Sequence, residues 1–263
     1  MKENADIVNV DTVPLKIHQI FFNFDDKTIL DFPVFVESQN VLSAMSGCFH
    51  TLWSYSDVLH LCKEYYPSLV ETFCNLRYPI QQVDLAKYMI GNLYTPCVVC
   101  DLDVIPTQHL EKIPGISNRR PFVFDRCSRR SIVANDFFFI RDSHSLDPLF
   151  EYFVSNLKRM DSIQAYKTRK MRYVFHTTGP DFWSRFIKQR GWQSYVEALS
   201  TRMFADTKQT KRNVYINNAY LIIEHQLSWC PQLQTGVDAS IIPQARPEDN
   251  KNYVEQELEI HCS

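Results

Sequence analysis

Glycine is scarce in this chain. There are six in 263 residues, at positions 47, 91, 115, 179, 191 and 236. None is spaced as G-x-G-x-x-G or as a P-loop, so neither of those backbone cradles holds a phosphate here. Charge of one sign is also lacking. The formal net charge is −2; no basic surplus points to nucleic acid, and no block of like charge forms an interaction tail. Long apolar runs are absent, so nothing reaches the length of a membrane span. No apolar signal core follows Met1-Lys2-Glu3-Asn4-Ala5-Asp6. The expectation is a soluble, cytoplasmic protein without a transmembrane segment or a nucleic-acid partner. A disulfide framework is missing too. The eight cysteines lie scattered at 48, 62, 74, 97, 100, 127, 230 and 262, and read as reduced, mostly buried thiols. Cys97 and Cys100 form a C-x-x-C. A redox pair normally opens a helix, and a zinc site needs a second pair, so core packing is the reading of these two.

What the chain does have is an ordinary globular composition, 45% hydrophobic and 22% charged. That is enough chain for one large α/β domain. Its focus is Cys97-Val98-Val99-Cys100-Asp101-Leu102-Asp103-Val104. An apolar, β-branched run delivers two carboxylates one residue apart. In an extended backbone alternate side chains share a face, so Asp101 and Asp103 are expected to point the same way. Ligands collect at the carboxyl ends of parallel strands. Two hard oxygen donors there suit Mn²⁺ or Mg²⁺, which in turn suits a diphosphate. Such a pair arises by chance about once in a chain of this length. A strand ending in a polar turn therefore remains the competing account.

Along the chain, residues 15–22 read as the first buried strand and Val34-Phe35-Val36 as a short one. Residues 41–52 read as a helix, Asp57-Val58-Leu59-His60-Leu61-Cys62 as a strand, and residues 63–76 as a helix. Residues 79–93 give the clearest helix: Pro79 suits its first turn, and Val83, Ala86 and Ile90 mark one face. Asp84 and Lys87, three apart, lie together on it. Residues 121–125 and 131–140 read as strands, with Arg126, Arg129 and Arg130 in a loop between. Asn135 and Asp136 interrupt the second of these strands, as ligand contacts or as a bulge. Helices are expected over 146–159 and from the Thr177-Thr178-Gly179-Pro180 turn to Gln189, and β structure over 214–223. His18, on a buried strand, reads as a core histidine. The domain is expected to span 1–232, with 233–263 peripheral.

The order of these pieces carries a resemblance. There is a K-I-H-Q-I-F opening strand, then a Y-Y-P segment. A Pro-Ile…Asp-Leu-Ala-Lys-Tyr helix runs into the D-x-D strand. Asn-Asp-Phe-Phe, Thr-Gly-Pro and His-x-x-Ser-Trp follow. From about Leu15 to Trp229 the chain resembles the DXD-containing glycosyltransferases of the initiating mannosyltransferase type, glycosyltransferase family 32. More distantly it is similar to the catalytic domain of the clostridial glucosylating toxins. The resemblance implies a GT-A fold, with a Rossmann-like, mostly parallel central sheet flanked by helices in a single domain. It also implies a metal-dependent, retaining transfer from a nucleotide-diphosphate sugar, UDP preferred to GDP, to a glycan or other hydroxyl acceptor.

Carried over residue by residue, Ile20 and Phe21 line the nucleotide-base pocket, and Asp84 bonds donor-sugar hydroxyls. Lys87 stands where the family usually has arginine. Asp101 faces the ribose and the metal, and Asp103 is the principal metal ligand. Asn135 and Asp136 line the sugar and acceptor side, where Asp84 and Asp136 are the candidate catalytic carboxylates. His225 reaches the metal or diphosphate, and Ser228 with Trp229 closes over the phosphates. Two departures bear on the donor: Thr95-Pro96 replaces the usual Gly-Gly, and Lys87 loses a planar bidentate fork. The rival readings are a GT-A-like domain that binds a glycan or partner without turnover, and a haloacid-dehalogenase-type phosphatase. The latter wants Thr or Val where Ile105 stands, and its motif usually lies on the first strand.

Overall fold

The computed structural model describes residues 14–23, 27–106, 110, 116, 122–127, 132–164, 169–192, 204–206 and 221–223. In chain order the elements are β1 (Leu15–Ile20), α1 (Pro33–Ala44), β2 (Cys48–Trp53), α2 (Tyr55–Tyr65) and α3 (Val70–Cys74). After these come α4 (Pro79–Leu93), β3 (Cys97–Cys100), β4 (Val104–Pro106), β5 (Phe122–Cys127) and β6 (Ile132–Ile140). The last are α5 (Asp147–Asp161), α6 (Lys170–Thr177), α7 (Pro180–Gln189), β7 (Phe204–Asp206) and β8 (Leu221–Ile223).

The fold is mixed α/β, as expected. A five-stranded sheet runs β2-β1-β3-β6-β5. β1 pairs in parallel with β2 and β3, and β6 is antiparallel to both β3 and β5. Every strand but β6 therefore points the same way, and helices cover the sheet. On one face Ile20, Cys97, Val99, Phe138 and Ile140 pack against Leu85 and Met89 of α4, Phe153 of α5 and Trp183 of α7. On the other, Ile17, Val98, Cys100, Phe137 and Phe139 pack against Leu42 of α1. Period-two alternation along β3 thus sends Cys97 and Cys100 to opposite faces. Burial holds the Cys97 thiol up at about 12, so the pair is packing, not redox chemistry. β4, β8 and β7 form a small second sheet, β8 antiparallel to β4 and parallel to β7.

α4 is the central helix. Leu85, Ala86, Tyr88, Met89 and Ile90 are fully buried, and Gly91 lets the helix approach the sheet closely. A Cβ there would stand 3.0 Å from both Ile140 Cδ1 and Phe138 Cε2. Tyr88 stacks on Trp183 at 4.9 Å between centroids, which ties α4 to α7.

Several local readings are corrected. Val34-Phe35-Val36 belongs to α1, not to a strand: Pro33 opens the helix, and Phe35, Ser38 and Leu42 recur at helical spacing on its buried side. That helix stops at Ala44, and residues 48–53 are β2 rather than helix. Gly47, at φ 77°, makes the turn between them. Asp57–Cys62 is helical, in α2. Ser54 caps it, its hydroxyl accepting from Asp57 N at 3.3 Å while Asp57 Oδ2 accepts from Ser54 N at 2.9 Å. The expected helix over 63–76 is divided at Pro67 into the end of α2, a 3₁₀ turn (Pro67–Leu69) and α3. Arg126 lies within β5 rather than in a loop; Arg129 and Arg130 lie outside the described residues. The expected helices over 79–93, 146–159 and 180–189 are α4, α5 and α7. Of the β-rich stretch 214–223, the described part is β8. The peripheral segment 233–263 lies outside the described residues.

Candidate active site

The register of β1 against β3 brings the carboxyl ends of both strands side by side. There β3 ends at Cys100, and the acidic pair is not extended, as the sequence suggested, but folded. Val104 N donates to Asp101 O at 3.1 Å, closing a four-residue turn over Asp101-Leu102-Asp103-Val104. The neighbouring strand fixes this turn at its start, where Asp101 N donates to Asp136 O at 2.7 Å. β1 and α1 fix it from below. Gln19 Nε2 donates to Asp101 O at 3.1 Å and to Ser38 Oγ at 2.9 Å. Ser38 Oγ in turn donates to Val104 O at 2.5 Å. The first and last carbonyls of the turn are thus satisfied by buried side chains, as buried backbone requires.

The third support is Lys87. Its ammonium is buried between α4 and the sheet and donates to Asp101 Oδ1 at 2.7 Å and to Asn135 O at 3.1 Å. It also sits 3.2 Å from Asp84 Oδ1. An ammonium has three donors, and here all three are committed within the protein. Asp84 is committed as well. Asn135 Nδ2 donates to its Oδ1 at 2.8 Å and Thr178 Oγ1 to its Oδ2 at 2.9 Å. Tyr88 closes the group, its hydroxyl donating to Thr178 O at 2.6 Å and receiving Asn135 Nδ2 at 3.3 Å.

β6 presents Asn135 and Asp136 through a bulge. Its register with β5 runs Phe124↔Phe138 and then Arg126↔Val133. Of the two accounts of these residues, the register shows the bulge.

The structure sorts the expected residues into two groups. Asp84, Lys87 and Asn135 are buried and form a frame. Asp101, with 35% of its side chain exposed, together with Asp103 and Asp136, reaches solvent. Burial, then the carboxylates of Asp103 and Asp136, raise Asp101 to about 7 against the pull of Lys87. Burial opposes the charge on Lys87, but Asp101 and Asp84 outweigh it and raise its pKa, so the ammonium stays protonated. One buried cation thus holds Asp84 and Asp101, and the carboxylates of Asp103 and Asp136 lie within electrostatic reach of Asp101 at the sheet edge. Ile20 is buried just below, and Phe21 is half-buried at the end of β1 with Phe32 edge-on at 6.2 Å. His225, Ser228 and Trp229 lie outside the described residues.

Residues that sequence reasoning passed over include Gln19, Ser38, Tyr88, Thr178 and Phe32. The alternation of K-I-H-Q-I-F does place Gln19 opposite His18, on the face with Ile17. Nothing local marks Ser38 or Thr178, whose partners lie 66 and 94 residues away. His18 is a core histidine, as read. Trp53 Nε1 donates to its Nδ1 at 3.1 Å, and burial, with Lys16 and His50 nearby, holds it down at about 4.

Fold and site together define a mixed α/β protein with an acidic turn at the carboxyl edge of its parallel strands. No protein-family model matches the sequence, and no curated protein matches it. Among solved structures the chain is similar to one titled PaToxG Glycosyltransferase, at 12% identity and a TM-score of 0.49, over 69% of this chain and 72% of that one. It is also similar to mouse xyloside xylosyltransferase 1 in its apo form, at 9% identity and a TM-score of 0.48, over 81% of this chain and 98% of that one. At these values the likeness carries no functional argument, and the reading below stands on the site. Among the described residues no helix is long and apolar enough to cross a membrane.

Proposed function

We propose that the protein is a glycosyltransferase that takes a sugar from a nucleoside-diphosphate donor to a hydroxyl acceptor, with Mn²⁺ or Mg²⁺ and with retention of configuration. The observation that carries this reading is the half-buried set Asp101, Asp103 and Asp136. These hard oxygens stand at the ligand-collecting edge of the sheet, where the buried ammonium of Lys87 holds Asp101 in place. Among the described residues no group of three or more carboxylate, imidazole or thiol side chains is placed to hold a metal ion. A magnesium-type site needs only one or two carboxylates and completes its shell with phosphate oxygens and water. Asp101 and Asp103 would hold the ion, with His225 as a further donor. Bound there, a divalent cation offsets the charge that develops on a departing diphosphate.

The chain's own residues do the rest. Phe21 and Phe32 offer aromatic surface to the base, beside Ile20. Lys87 fixes the carboxylate of Asp101, and Gln19 and Ser38 fix the turn that carries Asp103. Asp136 lines the sugar side, where a carboxylate favours an oxocarbenium-like centre. Asp84 acts through Lys87 and Asn135, its Oδ2 keeping one lone pair for a sugar hydroxyl. Ser228 and Trp229 close over the phosphates. In the transfer the acceptor oxygen bonds the anomeric carbon on the face the diphosphate leaves. The carbon–phosphate-oxygen bond breaks, and that oxygen takes the acceptor's proton.

The test is hydrolysis of a panel of UDP- and GDP-sugars by the purified protein, with Mn²⁺ and with chelator, beside Asp103→Ala. Turnover of one donor, lost with chelator and in the variant, is the expected result. No turnover, together with no metal-dependent binding of UDP or GDP, would leave the protein a binding module.

A further inference from the structure

We propose that the junction of α5, α6 and α7 is a binding site for a phosphate or sulfate group, separate from the acidic turn. Arg159 of α5 and Arg185 of α7 meet there beside His176 of α6, and Arg172 stands one helical turn before that histidine. Arg159 of α5 and Arg185 of α7 share one acceptor, Asn156 Oδ1, at 3.0 and 3.5 Å from their Nη2 atoms. Arg185 Nη2 also donates to His176 O at 2.5 Å, and Asn156 Nδ2 donates to the same carbonyl at 2.8 Å. Asn156 is buried and acts as a bracket for both guanidinium groups. Arg172 of α6 completes the set and is exposed.

The carboxylate set against them is Asp181, whose Oδ2 lies 3.5 Å from His176 Nδ1, with the two side chains 27% and 21% exposed. The site therefore opens to solvent. The Arg185 Nε–H is buried and finds no acceptor among the described residues. A buried donor of that kind is costly unless a ligand accepts from it. Burial lowers the pKa of His176 and Asp181 opposes it, with Arg185, Arg172 and Arg159 lowering it further.

Guanidinium groups from three helices give this junction a positive field, the complement of an anion. The planar fork of arginine matches a tetrahedral oxyanion, and charge-assisted bonds of this type are the strong ones. The surroundings reinforce it. From Lys158 to Arg190 the sequence holds nine lysines and arginines and two aspartates, in a chain of net charge −2. These cations are spread over three helices, so they do not read as a run along the chain.

The test needs no activity. Sulfate is titrated into the protein at constant ionic strength in chloride, and the ring signals of His176 are followed by NMR. Inorganic phosphate and glycerol 3-phosphate are run as further arms, for the free and the esterified group. The expected result is a saturable shift of the His176 signals and a rise in its pKa. Arg172→Gln, an exposed change on α6, should weaken binding at least roughly tenfold, the usual worth of one charge-assisted hydrogen bond. Arg185→Gln should do the same. Arg190→Gln removes equal charge away from the bracket and should bind as the unaltered protein does. Stronger binding of the ester than of inorganic phosphate would assign the site to a group carried on a larger molecule; the reverse would assign it to the free anion. Equal response of the unaltered protein, Arg172→Gln and Arg190→Gln, or no saturable shift at His176, would overturn the proposal.

Discussion

Replacing Lys87 with methionine tests the frame directly. Methionine keeps the length and flexibility of the side chain but removes three donors. Asp84, only 6% of whose side chain is exposed, then keeps Asn135 and Thr178 but loses its counter-charge. Asp101 loses its 2.7 Å partner and faces Asp103 and Asp136 alone. Removing one side of a buried ion pair typically costs about 3–5 kcal/mol, because a charge is left without compensation. The relief of desolvating one ammonium is already inside that figure. Urea unfolding at neutral pH should therefore show a loss of about 3–5 kcal/mol for Lys87→Met. Adding Asp84→Asn removes the stranded charge, while the amide still accepts through its oxygen. The double variant should recover at least roughly 1–2 kcal/mol of that loss. Should Lys87→Met cost less than about 1 kcal/mol, or should Asp84→Asn add its own full penalty, the ammonium would not be what neutralises Asp84 and the reasoning would fail.

Three further outcomes follow from the same geometry. His18 is held at about 4, against an ordinary 6.5; the folded state resists its protonation, so its contribution is complete above pH 6.5 and is lost as pH falls towards 4. The loss should reach about 3 kcal/mol, at 1.36 kcal/mol per pKa unit, and His18→Gln should flatten the stability–pH curve over that window. Gln19→Leu leaves the Asp101 and Ser38 oxygens short of a donor. It should cost about 1–3 kcal/mol in urea unfolding and, on the proposed function, lower kcat of metal-dependent donor hydrolysis more than it raises KM. Gly91→Ala sets a methyl group 3.0 Å from Ile140 and Phe138. It should destabilise by about 1–3 kcal/mol despite alanine's better helix propensity, as a thermal melt would show.

Much of the sheet and its helices is legible in the sequence, for reasons that differ by element. α4 announces itself through Pro79 and a long amphipathic period, and β3 through four consecutive apolar residues followed by acid. α2 was obscured because Asp57–Cys62 is a short window with four apolar residues, which suits a buried strand as well as a helix. The Ser54–Asp57 capping pair, which marks a helix start, sits just ahead of that window. α1 was obscured because Val34, Phe35 and Val36 favour strands, a weak preference that burial of one helical face overrides. At the site the acidic pair, Asp84 and Lys87 are visible as chemistry. Their division into a buried frame and a half-buried set is not, because it depends on Gln19, Asn135 and Thr178. Each of these reaches its acidic partner across a gap in sequence far longer than any local pattern spans.

The partners of Asp84 also bear on how the chain matures. Asn135 lies 51 residues beyond it and Thr178 lies 94 beyond it. A nascent chain that has emerged only as far as β4 already holds Lys87, Asp84 and the acidic turn. It lacks the amide, the hydroxyl and the Asn135 carbonyl that complete their bonding. The half-made site is a knot of charges short of partners, and the arrival of β6 and the α6–α7 turn supplies them. Assembly of the acidic edge is for that reason a late event in synthesis, coupled to the last helices of the described fold.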